Sequence, residues 1–218
     1  YYNQKKFDLV INLTVLEHVS NLNLFLSNIV SILKDNGDIF FGVPDSSEQL
    51  LLGDPALMDH AHWSYFTDKS LKEVLSKAGF SEIQTKSTKS GALYAWGKYK
   101  GKKEKIDNHF EFNSAKVAEQ FINNLNRNIQ LIESYVHDAR DKKEKIGLYG
   151  ASAGAANLWS LINWDGVEVE LFDGDIAKKG KYLPGCPLII NQSHDIINRG
   201  VKKIIILPIS FVNEIEGH

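Results

Sequence analysis

The sequence predicts an α/β protein in two parts joined by a long helix, and three observations carry that prediction. A β-branched run at Leu9, Val10 and Ile11 leads into an amphipathic helical pattern and then a second apolar run, Ile39-Phe40-Phe41-Gly42-Val43. Further on, Lys145-Ile146-Gly147-Leu148-Tyr149 turns through Gly150 into a second helical pattern and then a strand that ends in Asp173. Between them, Val117, Phe121, Leu125, Ile129, Ile132 and Val136 recur at spacings of four and three, a single apolar stripe along one helix.

Each element has a local reason. Asp8 leads the first run, which is apolar on both faces in the manner of a buried parallel strand. Leu24, Phe25, Asn28, Ile29, Ile32 and Leu33 keep helical spacing, with Ser20 or Asn21 as the cap and Gly37 just past the end. The strand at 38–43 closes a βαβ unit. Residues 45–58 read as irregular with one short helical turn, and His60 to Thr67 is rich in polar and aromatic side chains. Thr67 or Asp68 caps a helix at 69–78 whose inner face is Leu71, Val74 and Leu75, and Gly79 ends it. Residues 80–88 and 92–99 alternate as two strands joined near Ser90-Gly91. The charged stretch 101–108 is a joint, a helix runs from Ser114 to about Ala139, and 141–144 is a second joint. The long helix is expected to pack across both parts or against a second copy. Short apolar runs at 188–190 and 204–207 complete the second part, and no internal repeat stands out.

Composition bounds the function. With 218 residues, 43% hydrophobic and 24% charged, the chain is ordinary for a folded globular protein. A net charge of -2 and a pI near 6.4 supply no basic field, so neither nucleic acid nor an anionic membrane is expected as a partner. The single cysteine, Cys186, excludes an intrachain disulfide and fits a reducing cytoplasm. No apolar run approaches the ~18–20 residues that span a bilayer. The chain opens at Tyr1-Tyr2 and enters a strand almost at once, which leads to the expectation that it is a fragment.

The polar cluster Asn12, Thr14, Glu17, His18 stands past the first strand, where open α/β sheets bind ligands. VLEHV at 15–19, ILKDNGDIFFGVPD at 32–45, HAHWSYFT at 60–67 and LKEVLSKAGF at 71–80 resemble the second half of a class I S-adenosylmethionine-dependent methyltransferase domain. The resemblance covers roughly 7–98. It implies a Rossmann-like domain of which this chain holds the C-terminal half, with the glycine-rich cofactor loop upstream of Phe7 and S-adenosylmethionine as cofactor. Asn12, Leu13 and Thr14 would lie beside the methionine end of that cofactor. His18 matches a histidine that sugar C-methyltransferases place near the substrate, and His62 matches one in the acceptor pocket, followed by an aromatic patch that includes Tyr65. His18, His62 and Glu17 are thereby the catalytic candidates, with His62 as the base. The resembled enzymes include some with glutamate before this histidine; here Ala61 stands there. The competing reading is that Glu17 favours a helix start, that His18 is solvated, and that Trp63, Tyr65 and Phe66 are packing. His60 and His62 at i, i+2 invite a metal, but without a clear third ligand no metal is expected.

Gly150-Ala151-Ser152-Ala153-Gly154 has two readings. As G-x-S-x-G it mimics a hydrolase nucleophile elbow, with Asp173 and His194 following in serine, acid, histidine order. As a degenerate G-x-G-x-x-G, with Ser152 in place of the second glycine and Asp173 as the later acid, it fits a nucleotide-binding turn. FDGDIAKKGKYLPGCPLII at 172–190 and the later IIILP resemble the Rossmann-like C-terminal domain attached to sugar C-methyltransferases. The expected organisation is a partial methyltransferase domain at 1–106, a helical connector at 107–143 and a second Rossmann-like domain at 144–218. The expected activity is methyl transfer to a small-molecule acceptor, a nucleotide-linked sugar being the candidate. The alternatives are a non-catalytic nucleotide or sugar-nucleotide binding module and a serine hydrolase using Ser152. A homodimer is expected, because a sheet cut open leaves an unpaired edge.

Overall fold

The structure, a computed structural model, describes residues 6–100 and 114–207. These divide into two compact units: 6–48 with 60–100 and 114–117, and 49–59 with 118–207.

The first unit is built on a four-stranded sheet of order β1-β2-β4-β3, comprising β1 (Phe7–Leu13), β2 (Leu33–Pro44), β3 (Phe80–Ser87) and β4 (Ala92–Tyr99). β1 and β2 run parallel, with Leu9 opposite Asp38 and Leu13 opposite Gly42, while β4 pairs antiparallel to both β2 and β3. Helix α1 (Leu22–Ile32) crosses between β1 and β2, and Asn21 caps it by accepting the amide of Leu24. α1 ends at Ile32 rather than near Gly37, because Leu33 turns into extended backbone and already pairs with Phe7. The next helices are α2 (Ser47–Leu52) and α3 (Asp68–Lys77). Thr67 and Ser70 close a capping box on α3, each accepting the other's main-chain amide.

Ile39, Phe41 and Val43 from β2, Leu93 and Ala95 from β4, Leu26 and Ile29 from α1 and Leu71 and Leu75 from α3 form one buried core. The alternation that puts 39, 41 and 43 inward is the period-two signature of a strand. β1 differs from the expectation of burial on both faces: Val10 packs on the core, whereas Leu9, Ile11 and Leu13 are exposed. α1 and α3 share one core that Val10 packs against, whereas Leu9 and Ile11 are neither among its members nor among the residues packed on it. An open groove of about 420 Å³ is lined by Leu9, Ile11, Phe40, Gln84, Trp96 and Lys98.

The second unit holds helix α4 (Ser114–Lys142) from residue 118 onward, β5 (Lys145–Tyr149), helix α5 (Ala153–Leu161), β6 (Val169–Asp173), β7 (Tyr182–Leu183), β8 (Cys186–Gln192) and β9 (Val201–Ile206). Its sheet has the order β7-β8-β6-β5-β9, with β8, β6, β5 and β9 parallel and β7 antiparallel. The first parallel strand, β5, therefore lies inside the sheet with its successors on either side, which is a Rossmann-type order. Val136 and Ala139 of α4 and Ala155 and Leu158 of α5 pack with Ile146, Leu148, Leu171 and Ile190 of the sheet.

Residues 49–59 belong to this second unit, where the sequence suggested only irregular chain. Asn124 and Asn128 of α4 donate side-chain amides to the carbonyls of Leu51 and Leu52, and Asn157 of α5 donates to Pro55 and Met58. Gly53, at φ +68, lets the segment approach α4 so closely that a Cβ there would lie 2.3 Å from the Leu125 nitrogen. Among the described residues no helix is long and apolar enough to cross a membrane.

Candidate active site

β1 and β2 end side by side, and the chain leaves β1 through a strained turn. Thr14 has φ 51, a left-handed conformation that a β-branched residue rarely adopts. Its amide donates to the Gly42 carbonyl at 2.8 Å, so the parallel ladder continues one step past β1. Asn12 keeps a buried Oδ1 with no hydrogen-bond partner, while Leu13 and Thr14 are exposed.

A short 3-10 turn at Leu16–His18 follows. Leu16 enters the core, and Glu17 beside it is only 2% exposed. The main-chain carbonyl of Glu17 accepts the amides of Trp63 at 2.8 Å and Ser64 at 3.2 Å, which seats the 60–67 loop on this turn. His18 returns the contact: its Nδ1 lies 2.9 Å from the carbonyl oxygen of Ala61. A carbonyl can only accept, so Nδ1 carries a hydrogen. The Nε2 atom then faces Glu17 Oε1 at 3.8 Å, and Glu17 Oε2 is buried without a hydrogen-bond partner.

The rings of His18 and His62 lie 4.9 Å apart, and His62 meets Tyr65 edge-on at 5.9 Å. Glu17, His18, His62 and Tyr65 thus form one group at the carboxyl ends of the parallel strands. Trp63 is 71% exposed beside them, whereas Phe66 is buried in the core. Sequence reasoning missed the carbonyl of Ala61, since a main-chain partner leaves no mark in residue identity.

In the second unit, Gly150 takes φ 105 and donates its amide to Phe172, so the turn after β5 needs glycine. Ser152 is the N-cap residue of α5 but makes no side-chain cap bond. Asp173 is buried, and its carboxylate is engaged: Oδ2 accepts from the Ala151 amide and from Lys178 Nζ, both at 2.8 Å, and Oδ1 accepts from the Asp175 amide at 2.8 Å. Burial works against the charged form, yet these donors hold the carboxyl below the usual carboxylate range. Asp173 therefore clamps the glycine turn to the end of β6.

The serine-hydrolase alternative is corrected by the same contacts. Asp173 is taken by Lys178 and two main-chain amides, while the exposed His194 faces Asp195 at 3.4 Å, so the described residues assemble no Ser152, His194, Asp173 relay.

Comparison with protein families matches residues 1–85 to a methyltransferase domain and residues 102–218 to a C-methyltransferase C-terminal domain. The chain belongs to the C-methyltransferase C-terminal domain family. Together the two matches read as a methyltransferase domain followed by the C-terminal domain of C-methyltransferases. No curated protein matches. Among solved structures, human N-acetylserotonin methyltransferase in complex with S-adenosylmethionine is similar, at 23% identity and TM-score 0.37, over 42% of this chain and 29% of that one. A methyltransferase of Thermotoga maritima, described as a possible histamine N-methyltransferase, aligns at 19% identity and TM-score 0.36, over 44% of this chain and 58% of that one. Magnesium protoporphyrin IX methyltransferase from Synechocystis, with bound S-adenosylhomocysteine, aligns at 17% and 0.33, over 44% and 46%. This member of the C-methyltransferase C-terminal family thus spans less than two thirds of each of these three proteins.

Proposed function

We propose that the chain belongs to an S-adenosylmethionine-dependent methyltransferase that acts on a small-molecule acceptor, with a nucleotide-linked sugar as the candidate. The observation that carries this reading is the meeting of His18 and His62, ring centroids 4.9 Å apart, over the carboxyl ends of β1 and β2. The two family matches support the reaction class.

The residues present fit the cofactor at Asn12. Asn12 Oδ1 is a buried acceptor without a partner and would take an N–H or O–H donor of the cofactor, with Leu13 and Thr14 beside it. S-adenosylmethionine supplies an electrophilic methyl group on a sulfonium. This chain's residues have the remaining tasks. The Trp63 and Ser64 amides on Glu17 hold the 60–67 loop in place, so that an acceptor bound against His62 and Tyr65 is oriented before reaction, which supplies much of the rate in an in-line transfer. His62 is assigned the proton that the acceptor loses. His18 Nε2 offers a second basic atom, and Glu17 Oε1 stands as the counter-ion when that ring gains a proton.

The experiment is methyl transfer from labelled S-adenosylmethionine by the intact protein to a panel of nucleotide-linked sugars, beside calorimetric titration of the cofactor. Cofactor binding with transfer that falls roughly a hundredfold or more in His62→Ala is expected. Failure of the intact protein to bind the cofactor overturns the reading, and full transfer by His62→Ala removes the base assignment.

A further inference from the structure

We propose that Glu17, His18 and His62 form a binding site for a divalent cation of the zinc class. One donor atom from each residue lies within 4.8 Å of the other two. The sequence expectation of no metal considered His60 with His62 and lacked a third ligand; the fold supplies Glu17 and His18 from a different loop.

The electrostatics ask for a positive occupant. Because His18 Nδ1–H donates to Ala61, the Nε2 lone pair and the Glu17 carboxylate face each other at 3.8 Å. Two electron-rich atoms in that relation repel unless a proton or a cation lies between them. Glu17 is 2% exposed, and its Oε2 is left with no donor, a costly state for a buried carboxylate. A cation ligated by the carboxylate and both imidazoles satisfies all of these lone pairs together.

The support behind the donors is of the kind that metal sites use. A ligating histidine ordinarily donates its other ring nitrogen to a carbonyl or carboxylate, as His18 does to Ala61. The Glu17 carbonyl, bonded to the amides of Trp63 and Ser64, fixes the two ligand-bearing loops against each other. Bonds of ~2.0–2.2 Å in a tetrahedron put ligand atoms ~3.3 Å apart, so the donors must close by about an ångström or somewhat more, which side-chain rotation supplies. Two imidazoles with one carboxylate favour zinc, nickel or cobalt over magnesium or calcium. Three protein ligands leave a fourth position for water or an acceptor oxygen, and His18, exposed on one side, gives an ion a path in.

This inference goes beyond the methyl-transfer reading and does not need it. Cation and proton compete for the same lone pairs, so the cation-loaded form and the form in which His62 serves as base are alternative states of one site. The test is calorimetric titration of chelator-treated intact protein with Zn²⁺, repeated with Co²⁺ and followed by its visible absorption. One equivalent is expected to bind, with affinity falling roughly tenfold or more in both Glu17→Gln and His62→Ala. His137→Ala, which removes a surface pair with Asp141, leaves binding unchanged. Circular dichroism confirms that the variants are folded, and the near-isosteric Glu17→Gln guards against loss of structure. Absence of stoichiometric binding, or binding weakened by fewer than both substitutions, overturns the proposal. Neither readout depends on methyl transfer, so failure here is separate from failure of that reading.

Discussion

The ring of His18 donates from Nδ1 to the carbonyl oxygen of Ala61, 43 positions away in the chain, at 2.9 Å. This bond has two consequences that substitution can separate: it ties the 60–67 loop to the turn after β1, and it leaves Nε2 as the atom available for chemistry. In His18→Asn the side-chain amide nitrogen replaces Nδ1 as donor while Nε2 is gone. Stability within about 0.5 kcal/mol of wild type is expected, with methyl transfer by the intact protein lost. His18→Ala loses both and costs about 1 kcal/mol in addition. Denaturant midpoints and transfer rates on both variants check this pair; an active His18→Asn contradicts it.

The clamp at Asp173 predicts a pH signature. Its folded carboxyl titrates below the ordinary value of 3.8, so its contribution is complete above that value and disappears as pH falls through the lower folded one. Asp173→Asn should therefore cost about 2–4 kcal/mol at neutral pH, where an ionised, hydrogen-bonded carboxylate is lost. The difference from wild type should shrink below about pH 4. Urea unfolding at a series of pH values measures it, and a gap that widens in acid contradicts the assignment.

Gly53 has no room for a side chain. A Cβ would lie 2.3 Å from the Leu125 nitrogen, and φ +68 is unfavourable for alanine. Gly53→Ala is expected to destabilise the second unit by about 2–4 kcal/mol. Faster amide exchange in the stretch of α4 around Leu125 is the direct readout.

Thr67→Ala removes the side-chain half of the capping box on α3 and should cost about 1 kcal/mol, with Thr67→Ser restoring most of it. Hydrogen exchange at the first-turn amides of α3, Ser70 above all, distinguishes the two variants.

The elements that sequence revealed are those whose cause is local. Asn21 before α1, Thr67 before α3 and Gly79 after it are chemical punctuation, and the stripe from Val117 to Val136 marks a helix by spacing alone. The two histidine loops were readable because His18 and His62 sit in recognisable surroundings, and the fold brings them together. Residues 49–59 were not readable. Their partners are the amide groups of Asn124, Asn128 and Asn157, which bond to main-chain carbonyls and so impose no pattern on the segment they hold. Asp173 was read as an acid for a ligand; its contacts within the chain, two amides and a lysine five residues on, are ones that no spacing rule announces. Exposure of Leu9 and Ile11 was equally hidden, because an apolar run does not say how many of its faces are covered.

Since residues 49–59 are grouped with 118–207 while the stretch from 60 to 100 is not, neither unit corresponds to an uninterrupted piece of gene. A truncation that starts after residue 100 would leave Asn124, Asn128 and Asn157 of α4 and α5 without the main-chain carbonyls they bond. Anyone wishing to purify that half alone would have to splice the short upstream peptide back onto it, or supply it in trans.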